Sequence, residues 1–384
     1  MAVVGIDRIG DLNDTLIARC AAAGIRPERL IIIDAGDPEW VIPWNPFLQP
    51  GDACQIADGF VAAIERRWPC GVQVQFDLKN ICHALVINRQ SPLEIVRMFS
   101  DDEFRARITS NVSDAWLRSY FVEFEGWTRE QRAQRQSAVS NKLQTFLSNP
   151  RVRRMLCGKG TLDLRKIIDD PSAILLVTLR KDLLHDCGDL VGDMVIQGIW
   201  NAVRSRSTIP EAQRVKSTLI LDEGQNFAKG CLDEIITEGR RYGLRLIFAH
   251  QSQAQIDEKL RAIMRNNCAV QVVFNVGIVD AREMSPILMP MTREEATDAI
   301  LRLEVGEAFV LRRAKYPAKV LTPNAKAVNM SLAHAFRRKS MIAHGQRCQE
   351  IDAEIASRWQ VGEKANDKKQ NDSPEVRHVR KPRR

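Results

Sequence analysis

LILDEGQNFA, residues 219–228, decides the reading of this chain. A run of aliphatic residues ends at Leu221 and delivers two carboxylates in succession, Asp222 and Glu223. Short apolar runs of this kind read as strands, and open α/β sheets bind ligands outside the carboxyl ends of their strands. A carboxylate pair in that place suits nucleoside-triphosphate chemistry, one acid on magnesium and one on the attacking water. Strand-end acids also serve as helix caps and surface charges, so the pair alone is a weak signal.

The next apolar run outward, RLIFAHQ (residues 245–251), ends in His250 and Gln251. Neighbouring strands of a parallel sheet set their ends side by side, which brings Gln251 within reach of a γ-phosphate or the water. Between the two runs lies EIITEGRRYGL (234–244), where Leu232, Ile235 and Ile236 are spaced for a packed helical face. Arg240 and Arg241 fall in its last turn. An arginine fork suits phosphate because it donates two hydrogen bonds at once, and basic residues in a last turn equally suit the helix dipole.

Further runs of the same type are VVGID (3–7), RLIIID (29–34), AILLVTL (173–179), AVQVVFN (269–275) and EAFVLRR (307–313). Strands buried on both faces imply a mostly parallel sheet flanked by helices. Residues 51–150 read differently. IADGFVAAIERRW (56–68), FDLKNICHALVI (76–87) and SPLEIVRMFSDDEFRARI (91–108) repeat apolar residues at helical steps, with Ser91 and Ser100–Glu103 as helix starts. The expected organisation is therefore an α/β domain in two parts, 1–50 and 151–330, interrupted by an all-helical insertion at 51–150. A helical extension and a basic, disordered tail complete it over 331–384.

Composition excludes several classes. No run of about 18 apolar residues exists to span a bilayer, and the first residues lack a signal peptide's basic and apolar regions. Nine cysteines are scattered without a C-x-x-C pair, as reduced thiols of a cytoplasmic protein are. The 384 residues carry a net charge of +8, and 361–384 hold eight Lys/Arg against four Asp/Glu. Such an excess suits a nucleic-acid partner or a merely solvated tail.

Taken in order, these blocks resemble a known family. LDEGQNFAKGCLDEIITEGRRYGLRLIFAHQS (221–252) is similar to the FtsK–HerA superfamily of DNA-translocating ATPases, in its HerA-like and TraG–TraD-like coupling-protein branches. DRIGDLNDTLIARCAAAGIRPERLIIIDAGDPEWVIPWNPF (7–47), VSNKLQTFLSNPRVRRMLCGKGTLDLRKIIDDPSAILLVTL (139–179) and RNNCAVQVVFNVGIVDAREM (265–284) extend the likeness over roughly residues 3 to 323. The resemblance implies a RecA-like sheet and a homo-hexameric ring moving DNA with ATP and Mg2+. It further implies secretion-system or relaxase partners at the inner face of a membrane. It makes Asp222 and Glu223 the Walker B pair, with Asp222 on Mg2+ through water, Gln251 the sensor and Arg240 a finger acting on a neighbour's nucleotide. Asp7 takes the place of the Asp in a D-P-H-G block, followed here by Arg8 and Ile9.

A Walker A loop, G-x-x-x-x-G-K-S/T, is not found in this form. The only Gly-Lys step, Gly158-Lys159, is followed by Gly160 and lacks the first glycine. The expectation is that the phosphate loop precedes Met1 and that this chain is N-terminally truncated. Three readings follow: a translocase fragment, inactive or active only with an upstream piece; a catalytically silent DNA- or partner-binding paralogue; or a decayed fragment.

Overall fold

The structure, a computed structural model, describes residues 1–371 apart from 161, 228, 229, 313, 314 and 326, with side chains as far as Trp359. The basic residues from 372 onward lie outside that range. The chain divides into two compact units, Met1–Asp37 with Asp163–Gly345, and Pro38–Leu162 with Gln346–Arg384.

Five strands form the first unit's main sheet: β1 (Ala2–Asp7), β2 (Leu30–Asp34), β3 (Ile174–Thr178), β4 (Ser217–Leu221) and β5 (Leu244–Phe248). Their order is β2-β3-β1-β4-β5 and every pairing is parallel. The apolar runs do fill the middle of the layer. Val4, Ile6, Ile32, Leu175, Leu176, Val177, Leu219 and Leu221 are all at most 1% exposed, and each contributes about 1.5–3 kcal/mol of burial. Ile6 sits opposite both Val177 and Leu221, so the carboxyl ends of β1, β3 and β4 are level.

Two apolar runs expected in this sheet are elsewhere. β6 (Val270–Val273), β7 (Glu307–Arg312) and β8 (Ala318–Leu321) make a separate antiparallel sheet in the order β6-β7-β8. In β6 Val270 and Val272 are about half exposed while Val273 is buried, so this sheet is covered on one side, as antiparallel sheets can be. Val273 and Phe309 pack with Ala281, Leu288, Ala296 and Ile300 on the covered side.

The helix Met330–His344 also belongs to this unit and is tied to β2 and the helix Asp11–Ala22. Arg337 binds the carboxylates of Asp14 and Asp34, and the Ser340 hydroxyl donates to the Leu30 carbonyl.

The second unit is helical, with Ala53–Arg67, Val72–Ile87, Asp102–Ser110, Ala115–Glu125 and Arg129–Leu147 as its principal helices. Ser91 and Thr128 each begin a helical turn with a reciprocal capping box. The stretch 91–108 is broken into three pieces, because Asp101 caps a new helix instead of continuing the old one. Trp40–Val41 pairs antiparallel with Gln346–Arg347, and the helix Cys348–Asn371 follows, reaching further than the polar composition after residue 364 suggested. Among the described residues, no helix is long and apolar enough to cross a membrane.

Candidate functional site

β4 carries Asp222 straight off its end, where the Asp222 N–H still donates to the Ile6 carbonyl at 3.1 Å. Glu223 then turns the chain with a left-handed φ of 48°. Gly224 follows against the Phe248 ring, in a space where a Cβ would lie 2.4 Å from a ring carbon. This close crossing brings β5's exit alongside. The Gln251 side-chain amide donates to the Glu223 carboxylate at 3.1 Å. Asp222, Glu223 and Gln251 are therefore neighbours at the carboxyl edge of the sheet. Burial raises the Asp222 pKa above the ordinary carboxylate value, and the nearby charge of Asp7 raises it further.

Arg240 is not part of this group. It is exposed in the turn Gly239–Tyr242, just before β5 begins, and Ser217 at the start of β4 donates to Gly243 there. The five residues of β4 separate that end from Asp222 by roughly 17 Å at ~3.3 Å per residue. Any role for Arg240 beside a phosphate would have to be on another subunit.

β1 is the central strand, flanked by β3 and β4, and it runs through a tight turn into the 12-residue helix Asp11–Ala22. Gly10, with φ 125°, is the position in that turn where a side chain would be strained. β5, which leads to Gln251, is the outermost strand on the far side of β4.

Asp7, read by resemblance as part of a D-P-H-G block, occupies the turn itself. It is 1% exposed. One oxygen accepts from the backbone N–H groups of Ile9 and Gly10, both at 2.9 Å, and the other from Asn13 at 3.0 Å. Hydrogen bonds to a charged group are worth about 1.5–3 kcal/mol each, which offsets the burial of the carboxylate. Arg8 reaches across to Asp189 in a two-pronged pair at 2.6 and 3.0 Å and comes within 4.0 Å of Glu223.

Residues 216–295, spanning β4, β5 and the turn with Gln251, match the family of the TraM recognition site of TraD and TraG. The chain is similar in structure to the bacterial conjugative coupling protein TrwBdeltaN70 in its unbound form. The identity is 17%, 86% of each chain is covered, and the TM-score is 0.58. Residues 216–295 are thus TraG/TraD-like. The main sheet has the RecA-like fold of TrwB. TrwB in complex with ADP and Mg2+ is similar at 17% identity, over 86% of this chain and 87% of that one, with a TM-score of 0.57. VirB4 of Thermoanaerobacter pseudethanolicus is similar at 12% identity, over 84% of this chain and 82% of that one, with a TM-score of 0.52. No curated protein matches in sequence.

The donors at this edge, the Asp222 and Glu223 carboxylates with Gln251 beside them, suit Mg2+ and a water. The phosphates are another matter, since no G-x-x-x-x-G-K-S/T segment in the sequence supplies a lysine and a hydroxyl to hold them. Among the described residues, no group of three or more His, Cys, Asp or Glu could hold a metal ion.

Proposed function

We propose that this chain is a coupling-type component of a conjugation or type IV secretion system that recognises a partner without turning over nucleotide at its own seat. The observation that carries the reading is the sequence itself, in which no G-x-x-x-x-G-K-S/T segment supplies the lysine and hydroxyl that hold a triphosphate and its metal. A translocase needs its triphosphate held before a finger or sensor can act on it. The match of residues 216–295 to a TraM recognition site supports a protein partner of that kind. The net charge of +8 supports DNA held through its phosphates, without sequence reading.

A second reading keeps ATP-driven DNA translocation through a homo-hexameric ring. The contact between Gln251 and Glu223 beside Asp222 favours it, since that is the catalytic half of such a seat. ATP turnover by the purified chain, measured beside the Glu223→Gln variant, separates the two. Equal and background rates are expected. Turnover in the wild type that Glu223→Gln removes would establish the translocase reading and exclude the silent one.

A further inference from the structure

The approaches to β4 and β5 run side by side at the amino edge of the main sheet. The Ser217 N–H donates to the Gly243 carbonyl at 2.9 Å. Gly243 bends the chain with a φ of 82°, in a place where a Cβ would lie 3.1 Å from the Val215 carbonyl oxygen. Two basic segments are thereby brought together, Arg214 to Lys216 and Arg240 to Arg245.

They meet on Tyr242. The Arg214 and Arg241 guanidiniums lie over its ring, 5.5 and 5.9 Å from the centre, and Arg214 also donates to the Arg241 carbonyl at 2.5 Å. Trp200 stands edge-on to the same ring at 5.9 Å. Arg206, wholly buried, donates to the Tyr242 carbonyl at 3.0 Å. Burial lowers the Arg206 pKa although Asp169 is paired with it, and the charges of Arg165 and Arg214 lower it further.

The carboxylates among these side chains are already taken. Asp169 accepts from Arg165 and Arg206, and Glu234 accepts from the Trp200 indole N–H at 2.6 Å and lies 3.7 Å from Arg204. Among the described residues, Arg214, Lys216, Arg241 and Arg245 are in no ion pair. Guanidiniums fixed on an aromatic base are organised in advance for carboxylates, which each planar fork takes with two hydrogen bonds. A nucleic acid suits the patch less well. Its charges form a continuous row, and exposed Glu211, Glu234 and Glu238 border these arginines in the chain. A short run of side-chain carboxylates ends before it meets them.

We propose that this edge, centred on Arg214, Tyr242 and Arg241, binds a short acidic peptide segment of a protein partner. The inference rests on the reading of a partner-recognising chain given above and adds the surface used and the chemistry it takes.

The test is fluorescence anisotropy at low ionic strength, with labelled hexaglutamate as the probe and a labelled oligothymidine of equal charge beside it. The full-length wild type is compared with the double variant Arg214→Ala, Arg241→Ala. Arg293→Ala with Arg302→Ala removes the same charge elsewhere on the first unit and serves as the control. The wild type should bind hexaglutamate saturably, and the Arg214/Arg241 variant should bind it at least about tenfold more weakly. The control should bind it as the wild type does, and oligothymidine binding should be the same in all three. Equal hexaglutamate binding by the two double variants would overturn the proposal. So would a loss at Arg214 and Arg241 that is as large for oligothymidine as for the peptide. If Arg214→Ala, Arg241→Ala does not fold, Arg241→Glu with Arg245→Glu, both exposed in the wild type, takes its place under the same criteria. Failure here would remove this surface and leave the silent, partner-recognising reading standing. ATP turnover by the wild type would remove the silent reading and leave this surface untouched.

Discussion

Gly10 and Asp222 show how single positions set this site. Gly10 holds a φ of 125°, and a side chain there would meet Arg180 and Thr178 at 3.0 Å. Gly10→Ala should cost about 1–3 kcal/mol of stability, the range for a residue held in an unfavourable backbone region, as read by urea unfolding. Asp222 has a pKa raised by burial first and by the Asp7 charge second. For an acid with a raised folded pKa, the folded state binds the extra proton, so stability is greatest below the unfolded value and falls as pH rises through the raised one. Asp222→Asn should therefore melt higher than the wild type at pH 7, and the gap should close as the pH drops through the ordinary carboxylate range. Thermal scans across pH check this, and a gap that widens in acid would count against it. Asp222, Glu223 and Gln251 were legible in the sequence because strand ends announce themselves by an apolar run breaking into polar residues. Asp7 was not, because its role depends on where three backbone N–H groups point, and no residue pattern records that.

Elements differed in legibility for a related reason. The five strands of the parallel sheet are nearly continuous aliphatic runs, and such runs have one stable use. β6 and β7 look similar in composition, yet they lie in a separate antiparallel sheet, which only the pairing reveals. The order of strands was equally hidden. β1 could be read as a strand, but its place between β3 and β4 is a property of the sheet and not of the segment. The helix Met330–His344 depends on one guanidinium, since Arg337 joins the buried Asp34 to Asp14. Arg337→Ala should destabilise the first unit by about 1.5–3 kcal/mol, the worth of a charged hydrogen bond, with Arg180 still compensating Asp34. Hydrogen exchange should show the loss concentrated in residues 330–344, and uniform loss across the sheet would mean that the helix is not held this way.

The chain has the fold of a coupling protein. Its overall fold resembles TrwB at a TM-score of 0.58 with only 17% identity, so the sheet and its flanking helices persist although few of their residues are shared. That is why the fold was readable from ordered blocks. If the chain is silent toward nucleotide, as proposed, binding to DNA should follow the charge of +8, weakening with salt and indifferent to ATP. The decisive experiment is calorimetric titration of the wild-type chain with ATP and Mg2+. A flat isotherm, with no saturable heat up to millimolar nucleotide, is expected. Saturable micromolar binding that is lost on replacing Asp222 would mean that the chain holds nucleotide by itself and would contradict the silent reading.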